Sequence, residues 1–315
     1  VRPIHPRLAS LGQQLLFSVV APVAARLPQY LLAGIAVIAG LLAYLFGSEA
    51  RGAVDRNLRV VMPHVDARTR RRLTLATFVH GALGYVELFK LAAYGEERLM
   101  GAFQSIGWEH FDTALARGQG VIIVSAHVGS FSVAGQLFAV RRHPAAVVVE
   151  PLQPPELFAR VAALRSRFGA RLIPADRSSV RAILTALRAN EIVGMMCDRD
   201  VTGSGDMMPI FGRPARVSFA PASFALRSGA TVLPAVAYRT RPFQGVLRID
   251  PPVELTRSGD TAEDVRQGML QILNRIETMI RAAPQQWTMF TDVWPRPGYN
   301  GAGADQDQPA PQSYR

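Results

Sequence analysis

The sequence predicts an α/β fold: a mostly parallel central sheet flanked by helices, preceded by an apolar N-terminal helical region. Three observations carry this reading. Short apolar runs recur between Gly101 and Asn300, among them VIIVSAH (Val121–His127), AAVVVE (Ala145–Glu150) and EIVGMMCDRD (Glu191–Asp200). Segments with helical start and stop signals separate them, and strands that alternate with helices assemble as crossover units around a parallel sheet. Finally, Leu27 to Ser48 is uncharged between Arg26 and Glu49.

The elements follow in chain order. Residues 1–48 form the apolar N-terminal region, read as membrane-association helices. The core of this region, LLAGIAVIAGLLAYLFG, is barely long enough to cross a bilayer, and it can equally lie in the interface or against the enzyme body. Basic residues flank it on both sides (Arg2, Arg7 and Arg26, then Arg51, Arg56 and Arg59), so the charge bias gives no orientation. Monotopic attachment is the favoured reading. Residues 49–100 read as helices, with Leu73, Phe78, Leu83, Val86 and Leu88 at roughly helical spacing. PPELFARVAALRSRFG (Pro154–Gly169) opens on prolines and closes on glycine, as a helix should. ARLIPA is a short strand and SSVRAILTALRAN a helix with a serine cap. PASFALRSGA is a helix ending at Gly229, and TVLPAVAYR a strand. Residues 49–300 thus make one domain. The polar, Gly/Pro-rich segment 301–315 is expected to be disordered.

Composition narrows the class. Of 315 residues, 49% are hydrophobic and 19% charged, which excludes a disordered chain. The net charge of +11 is almost all arginine, since Lys90 is the only lysine. Arginine suits phosphates and anionic head groups, so an anionic membrane surface is an expected partner. The basic residues are dispersed and no nucleic-acid motif accompanies them, so nucleic acid is not expected. One cysteine, Cys197, excludes an intrachain disulfide and a cysteine zinc site.

In open parallel sheets ligands bind beyond the carboxyl ends of the strands. Three predicted strands end in His127, Glu150 and Asp198, which marks that edge as the candidate site. A neutral His127 there can take a proton from an alcohol. Gly129 and Ser130 follow it; Gly129 allows close backbone approach and free amides, and exposed amides at the start of the following helix are expected to hold a tetrahedral oxyanion. Structural roles compete at each position: a core histidine, a helix N-terminal charge for Glu150, a salt-bridged strand end for Asp198, Arg199 and Asp200.

GWEHFDTALARGQGVIIVSAHVGSFSVAG (Gly107–Gly135) resembles the signature region of the bacterial lipid A biosynthesis acyltransferase family. That family includes lauroyl and myristoyl transferases and the mycobacterial phosphatidylinositol mannoside acyltransferase. NLRVVMP, EPLQPPELF, the Arg165–Gly169 segment, CDRD, PIFGRPARVSFAPASFALRSGATVLPAVAYR and PQQWTMFTDVWP match in order, covering about residues 25–295. CDRDVT is closer to the mannoside branch. The resemblance implies a glycerolipid acyltransferase-like fold and transfer of an acyl group from acyl-CoA or acyl carrier protein to a glycolipid hydroxyl. It implies work at the cytoplasmic face of the inner membrane, with no metal or cofactor. His127 would be the general base. Glu150 matches an acceptor-pocket position and Arg165 an active-site arginine, with Arg167 a competing match. Arg213, like Arg216, could bind donor phosphates.

The chain departs from the family at one position. The family motif places Asp or Glu five residues after the histidine, where this chain has Ser132. A hydroxyl can accept an imidazole N–H but supplies no charge. Three explanations compete: a carboxylate from elsewhere, with Asp198 or Asp200 the best candidates, a weaker dyad, or lost activity. Two other function classes therefore remain beside the transferase: an impaired lipid-binding homologue, and a thioesterase or esterase on the same scaffold.

Overall fold

The computed structural model describes residues 21–294 apart from 92, 152–154, 177 and 202. The first twenty residues of the predicted apolar region and the tail at 301–315 lie outside the described residues.

Four helices open the described residues: α1 (Ala21–Arg26), α2 (Gln29–Phe46), α3 (Ser48–Val61) and α4 (Ala67–Leu91). The predicted apolar stretch is α2, which starts after Pro28 and stops at Gly47. It buries only a narrow stripe of Leu32, Ala36 and Gly40. These repeat every four residues and so lie on one face. A side chain at Gly40 would press 2.7 Å from the Val79 Cα, so glycine is what lets α2 cross α4 closely. Most of its remaining surface is apolar and exposed, with Tyr30, Ile35, Ile38, Leu42, Leu45 and Phe46 among the open side chains. The lone lysine, Lys90, fastens this end: its ammonium donates to the carbonyls of Ala25 and Leu27 at the close of α1, at 2.7 and 2.6 Å.

The α/β body follows as α5 (Glu96–Ala102), β1 (Phe103–Ile106), α6 (Trp108–Ala116), β2 (Val121–Ser125), α7 (Phe131–Val140), β3 (Ala145–Val149), α8 (Pro155–Arg165), β4 (Arg171–Pro174), α9 (Ser179–Arg188) and β5 (Ile192–Met196). It closes with β6 (Asp206–Ile210), β7 (Arg213–Val217), α10 (Ala220–Ser228), β8 (Thr231–Arg241), β9 (Gln244–Ile249) and α11 (Thr261–Ala282). Seven strands form one sheet in the order β1-β9-β8-β2-β5-β3-β4. The five from β8 to β4 run parallel, while β9 is antiparallel to β8 and carries β1 at the edge. The expected mostly parallel sheet is therefore present, with a mixed edge that the apolar runs did not announce.

The sheet is covered on both faces. One layer joins α9, α10 and α11 to Ile122, Val124, Val193 and Val232, and the other joins α6 and α7 to Val121, Ile123 and Leu233. Burial on both faces explains why β2 reads as an unbroken apolar run and not as an alternating one. The FGRPAR stretch (Phe211–Arg216) supplies the turn and most of the second strand of the β6–β7 hairpin. Phe211 and Gly212, at φ +52° and +71°, make its two-residue turn. The prolines concealed it: Pro209 and Pro214 face each other in the ladder, which two-stranded edges tolerate.

Candidate active site

β2 and β5 are neighbours and pair in register, with Ser125 opposite Met196. Two residues further on, His127 and Asp198 meet beyond the carboxyl ends of the strands. Asp198 Oδ1 lies 2.8 Å from His127 Nδ1, and Oδ2 accepts the His127 backbone N–H at 2.8 Å. Oδ2 also accepts the indole N–H of Trp287 at 2.9 Å. Asp198 is fully buried, whereas the His127 side chain keeps 22% of its surface open. Burial by itself raises the Asp198 carboxyl, but the charge of His127 and the hydrogen bonds from His127 and Trp287 outweigh it and hold the group below its ordinary value. An ionised carboxylate can only accept, so Nδ1 carries a proton, and whenever the ring is neutral Nε2 is the lone-pair nitrogen. Phe131 meets the imidazole edge to face, with centroids 5.2 Å apart.

The loop after His127 is held from β8 and from the segment after α11. Gly129 sits at φ +65°, and a side chain there would come within 2.2 Å of the Ala237 carbonyl oxygen. The Gly129 amide donates to the Gln286 carbonyl at 3.0 Å and the Ser130 amide to Ala237 at 2.8 Å. Val128 N–H donates to Ala126 at 2.7 Å, and the His127 N–H is taken by Asp198. The amides of residues 127–130 are thus all engaged. That corrects the expectation of free amides around Gly129 and leaves the start of the following helix, where the oxyanion donors were expected. The first amides without a partner among the described residues are those of Phe131 and Ser132, at the start of α7, where a helix leaves its donors unsatisfied. The Ser130 hydroxyl is buried with no partner.

The other predicted residues fall into separate places. Asp200 does not reach His127 in a hydrogen bond; its carboxylate accepts the Gly205 amide at 2.7 Å within its own loop. Ser132 is the second residue of α7, and Asp198 occupies the imidazole nitrogen that it was weighed against. Glu150 and Arg199, at the ends of the paired strands β3 and β5, form an ion pair. Arg165 closes α8 with its Nε buried and unpartnered, and burial pulls its guanidinium below the ordinary value. Its carbonyl takes a hydrogen bond from Gln136 of α7. Arg213 lies exposed on β7. The Cys197 thiol is buried beside Asp198, and both facts push its pKa up, which leaves it a poor nucleophile.

Sequence reasoning missed a second buried group. Arg239 of β8 makes a bidentate pair with Glu87 of α4, both contacts at 2.7 Å, and both side chains are almost inaccessible. Its guanidinium also reaches His80 Nδ1 at 2.8 Å and the Gly129 carbonyl at 3.4 Å. The signals were a carboxylate inside the apolar helical run YVELF and an arginine closing an apolar strand. Trp287 lies within the PQQWTMFTDVWP motif, which by itself gives it no role. Its 89-residue separation from Asp198 hides the contact in the sequence.

Comparison with known proteins identifies the family. The family model described as bacterial lipid A biosynthesis acyltransferase matches residues 5–296. A phosphatidylinositol mannoside acyltransferase of Mycobacterium tuberculosis is 29% identical over 216 residues, 66% of this chain and 66% of that protein. The alignment therefore spans just under two thirds of that relative's length. The Mycolicibacterium smegmatis protein of the same name is 27% identical over 261 residues, covering 79% of this chain and 84% of its own. A lipid A biosynthesis acyltransferase of Haemophilus influenzae is 22% identical over 261 residues, 81% of this chain and 80% of its own. With a match across nearly the whole chain, and a histidine–carboxylate pair at the carboxyl edge of a mostly parallel sheet, the chain belongs to the bacterial lipid A biosynthesis acyltransferase family.

Proposed function

We propose that the protein moves a fatty acyl group from a thioester, on coenzyme A or acyl carrier protein, to a hydroxyl of a glycolipid at the membrane surface. The glycolipid is of the phosphatidylinositol mannoside or lipid A precursor type, as the relatives' names suggest. The observation that carries the reading is the His127–Asp198 pair. His127 Nε2 takes the hydroxyl proton as the oxygen attacks the thioester carbonyl. In this reading the Phe131 and Ser132 amides, for which no partner is found among the described residues, receive the oxyanion. Collapse expels the thiolate, which takes its proton from the imidazolium. Asp198 orients the ring and balances its charge, so the carboxylate absent at Ser132 is supplied from β5. That arrangement favours a working enzyme over an impaired homologue.

Membrane attachment through α2 belongs to the same proposal. At 1.5 Å per residue the helix is roughly 27 Å long, close to a hydrocarbon core. Its Leu32, Ala36 and Gly40 stripe lies against α4, which favours a helix resting in the interface over one crossing it. Between α2 and α4 a groove of about 260 Å³, lined by Leu41, Leu75, Ala76 and Val79, with Arg72 and His80, offers apolar surface to an acyl chain. Each methylene buried there would contribute roughly 0.8 kcal/mol. We further propose the cytoplasmic face of the inner membrane as the site of work and a glycerolipid acyltransferase-like topology for the fold.

The test is His127→Ala, assayed with palmitoyl-CoA and a lipid extract from the source organism. Acyl transfer should fall at least about 10³-fold, with the fold intact by circular dichroism. A variant that kept wild-type turnover would remove the general base from the mechanism. Acyl release without acceptor would point to an esterase.

A further inference from the structure

Three consecutive residues after α11 act on the His127–Asp198 pair. The Gln286 carbonyl accepts the Gly129 amide at 3.0 Å, Thr288 donates to the His127 carbonyl from its amide at 2.9 Å and its hydroxyl at 3.1 Å, and Trp287 donates to Asp198. Val128 and Trp287 also form an antiparallel bridge. Gln286 is in turn fixed by both backbone groups of Arg239, each at 2.8 Å. The segment is a strap laid across the loop that carries the base.

Trp287 is the member with chemical consequence. The two oxygens of Asp198 have different work: Oδ1 faces the imidazole, and Oδ2 faces two N–H donors. The His127 amide alone is a single anchor, and a carboxylate on one anchor can rock about its Cβ–Cγ bond, where the torsion is soft. A second donor, on a fully buried indole, fixes the plane of the carboxylate and hence the direction in which Oδ1 holds the ring. Beyond the strap lies Trp294, whose indole donates to the Ile210 carbonyl at 3.3 Å and meets Trp287 edge to face. It provides a matched comparison: a neighbouring indole N–H with no contact to the dyad.

We propose that Trp287 is a positioning residue for acyl transfer, its indole N–H locking the Asp198 carboxylate so that the His127 ring presents Nε2 to the acceptor hydroxyl. This rests on the reading of His127 as the base. Trp287 needs to touch neither substrate nor donor; it acts through Asp198.

The experiment compares full-length wild type, Trp287→Phe and Trp294→Phe in steady-state acyl transfer from palmitoyl-CoA to the lipid extract. It also records the low-field proton resonance of an imidazole N–H hydrogen-bonded to a carboxylate, assigned by its loss in His127→Ala. Trp287→Phe should lower kcat about tenfold with KM changed by no more than about twofold, and should shift or broaden the low-field resonance. Trp294→Phe should leave both kcat and the resonance at wild-type values. Should Trp287→Phe fail to fold, an isostere serves: β-(3-benzothienyl)alanine at 287 keeps the ring shape and deletes only the N–H. The inference falls if the folded variant, or the isostere, keeps the kcat and resonance of Trp294→Phe. It falls equally if the loss lies in KM alone. Failure of the underlying reading looks different: His127→Ala would then itself retain turnover.

Discussion

Asp198→Asn replaces a single oxygen by an amide nitrogen and tests the whole dyad, because the surroundings dictate how the new amide must sit. Oδ2 of Asp198 receives two donors, His127 N–H and Trp287 Nε1–H, and Oδ1 receives one. An asparagine has one acceptor oxygen. Turned toward the two donors, it satisfies both and points its NH2 at His127 Nδ1. Turned the other way, it sets an NH2 against two N–H groups. The first orientation wins by at least one hydrogen bond, about 1.5 kcal/mol. It forces Nδ1 to accept, so the proton moves to Nε2 and the base is lost. Reversing that tautomer costs roughly tenfold in rate. Losing the negative charge beside the developing imidazolium costs more. With charge centres about 4 Å apart and an effective dielectric near 20, the attraction is ~4 kcal/mol, or roughly a thousandfold. The expected fall in kcat is therefore between about 10³ and 10⁴, in line with the neutralised carboxylate of serine-protease triads. The assay is acyl transfer from palmitoyl-CoA to lipid extract, with Asp200→Asn alongside. Asp200 holds the Gly205 amide and no hydrogen bond to His127, so its variant should stay within about threefold of wild type. If Asp198→Asn kept more than about a tenth of wild-type kcat, the orienting role of Asp198 would be wrong.

Three further outcomes are expected. Glu87→Gln strands Arg239 without its bidentate partner inside the protein, and should cost about 3–5 kcal/mol in denaturant unfolding. The double change Glu87→Leu with Arg239→Met should restore much of that, and a single-variant loss under about 1 kcal/mol would refute the pair's buried character. His80 is held to a pKa of about 4 against an ordinary 6.5, first by burial and then by the Arg239 charge. Its lowered folded pKa means the neutral ring contributes stability in full above about pH 6.5, and that contribution is lost as the pH falls through about 4, to the extent of roughly 3 kcal/mol. Chemical denaturation at about pH 7 and about pH 4.5 should show a smaller drop for His80→Asn than for wild type, whereas equal drops would exclude His80 as the source. Replacing Ile38 and Leu42, both well exposed on α2, by aspartate should reduce co-sedimentation with anionic vesicles about tenfold or more. Unchanged sedimentation would mean that α2 is not the membrane contact.

The sequence alone was enough for the α/β class, for the apolar stretch Leu27–Ser48 that contains the helix Gln29–Phe46, and for the edge of the sheet where His127 and Asp198 meet. These are local properties: a strand buried on both faces must be apolar throughout, and a polar residue beyond its end announces the place where the chain turns toward a ligand. His127 was legible for that reason, as was the need for a carboxylate once Ser132 stood in the motif's acidic position. Which carboxylate answers it was not legible. Asp198 and Asp200 are two residues apart and chemically alike, and only the parallel register of β5 on β2 brings the first under the imidazole and leaves the second in its loop. The engaged amides after His127, the Glu87–Arg239 pair and the Trp287 donor lay beyond sequence reasoning for a related reason. Each depends on contacts between segments roughly 70 to 160 residues apart. Such contacts are set when the sheet order closes the core, and residue type and spacing along the chain carry no record of that order.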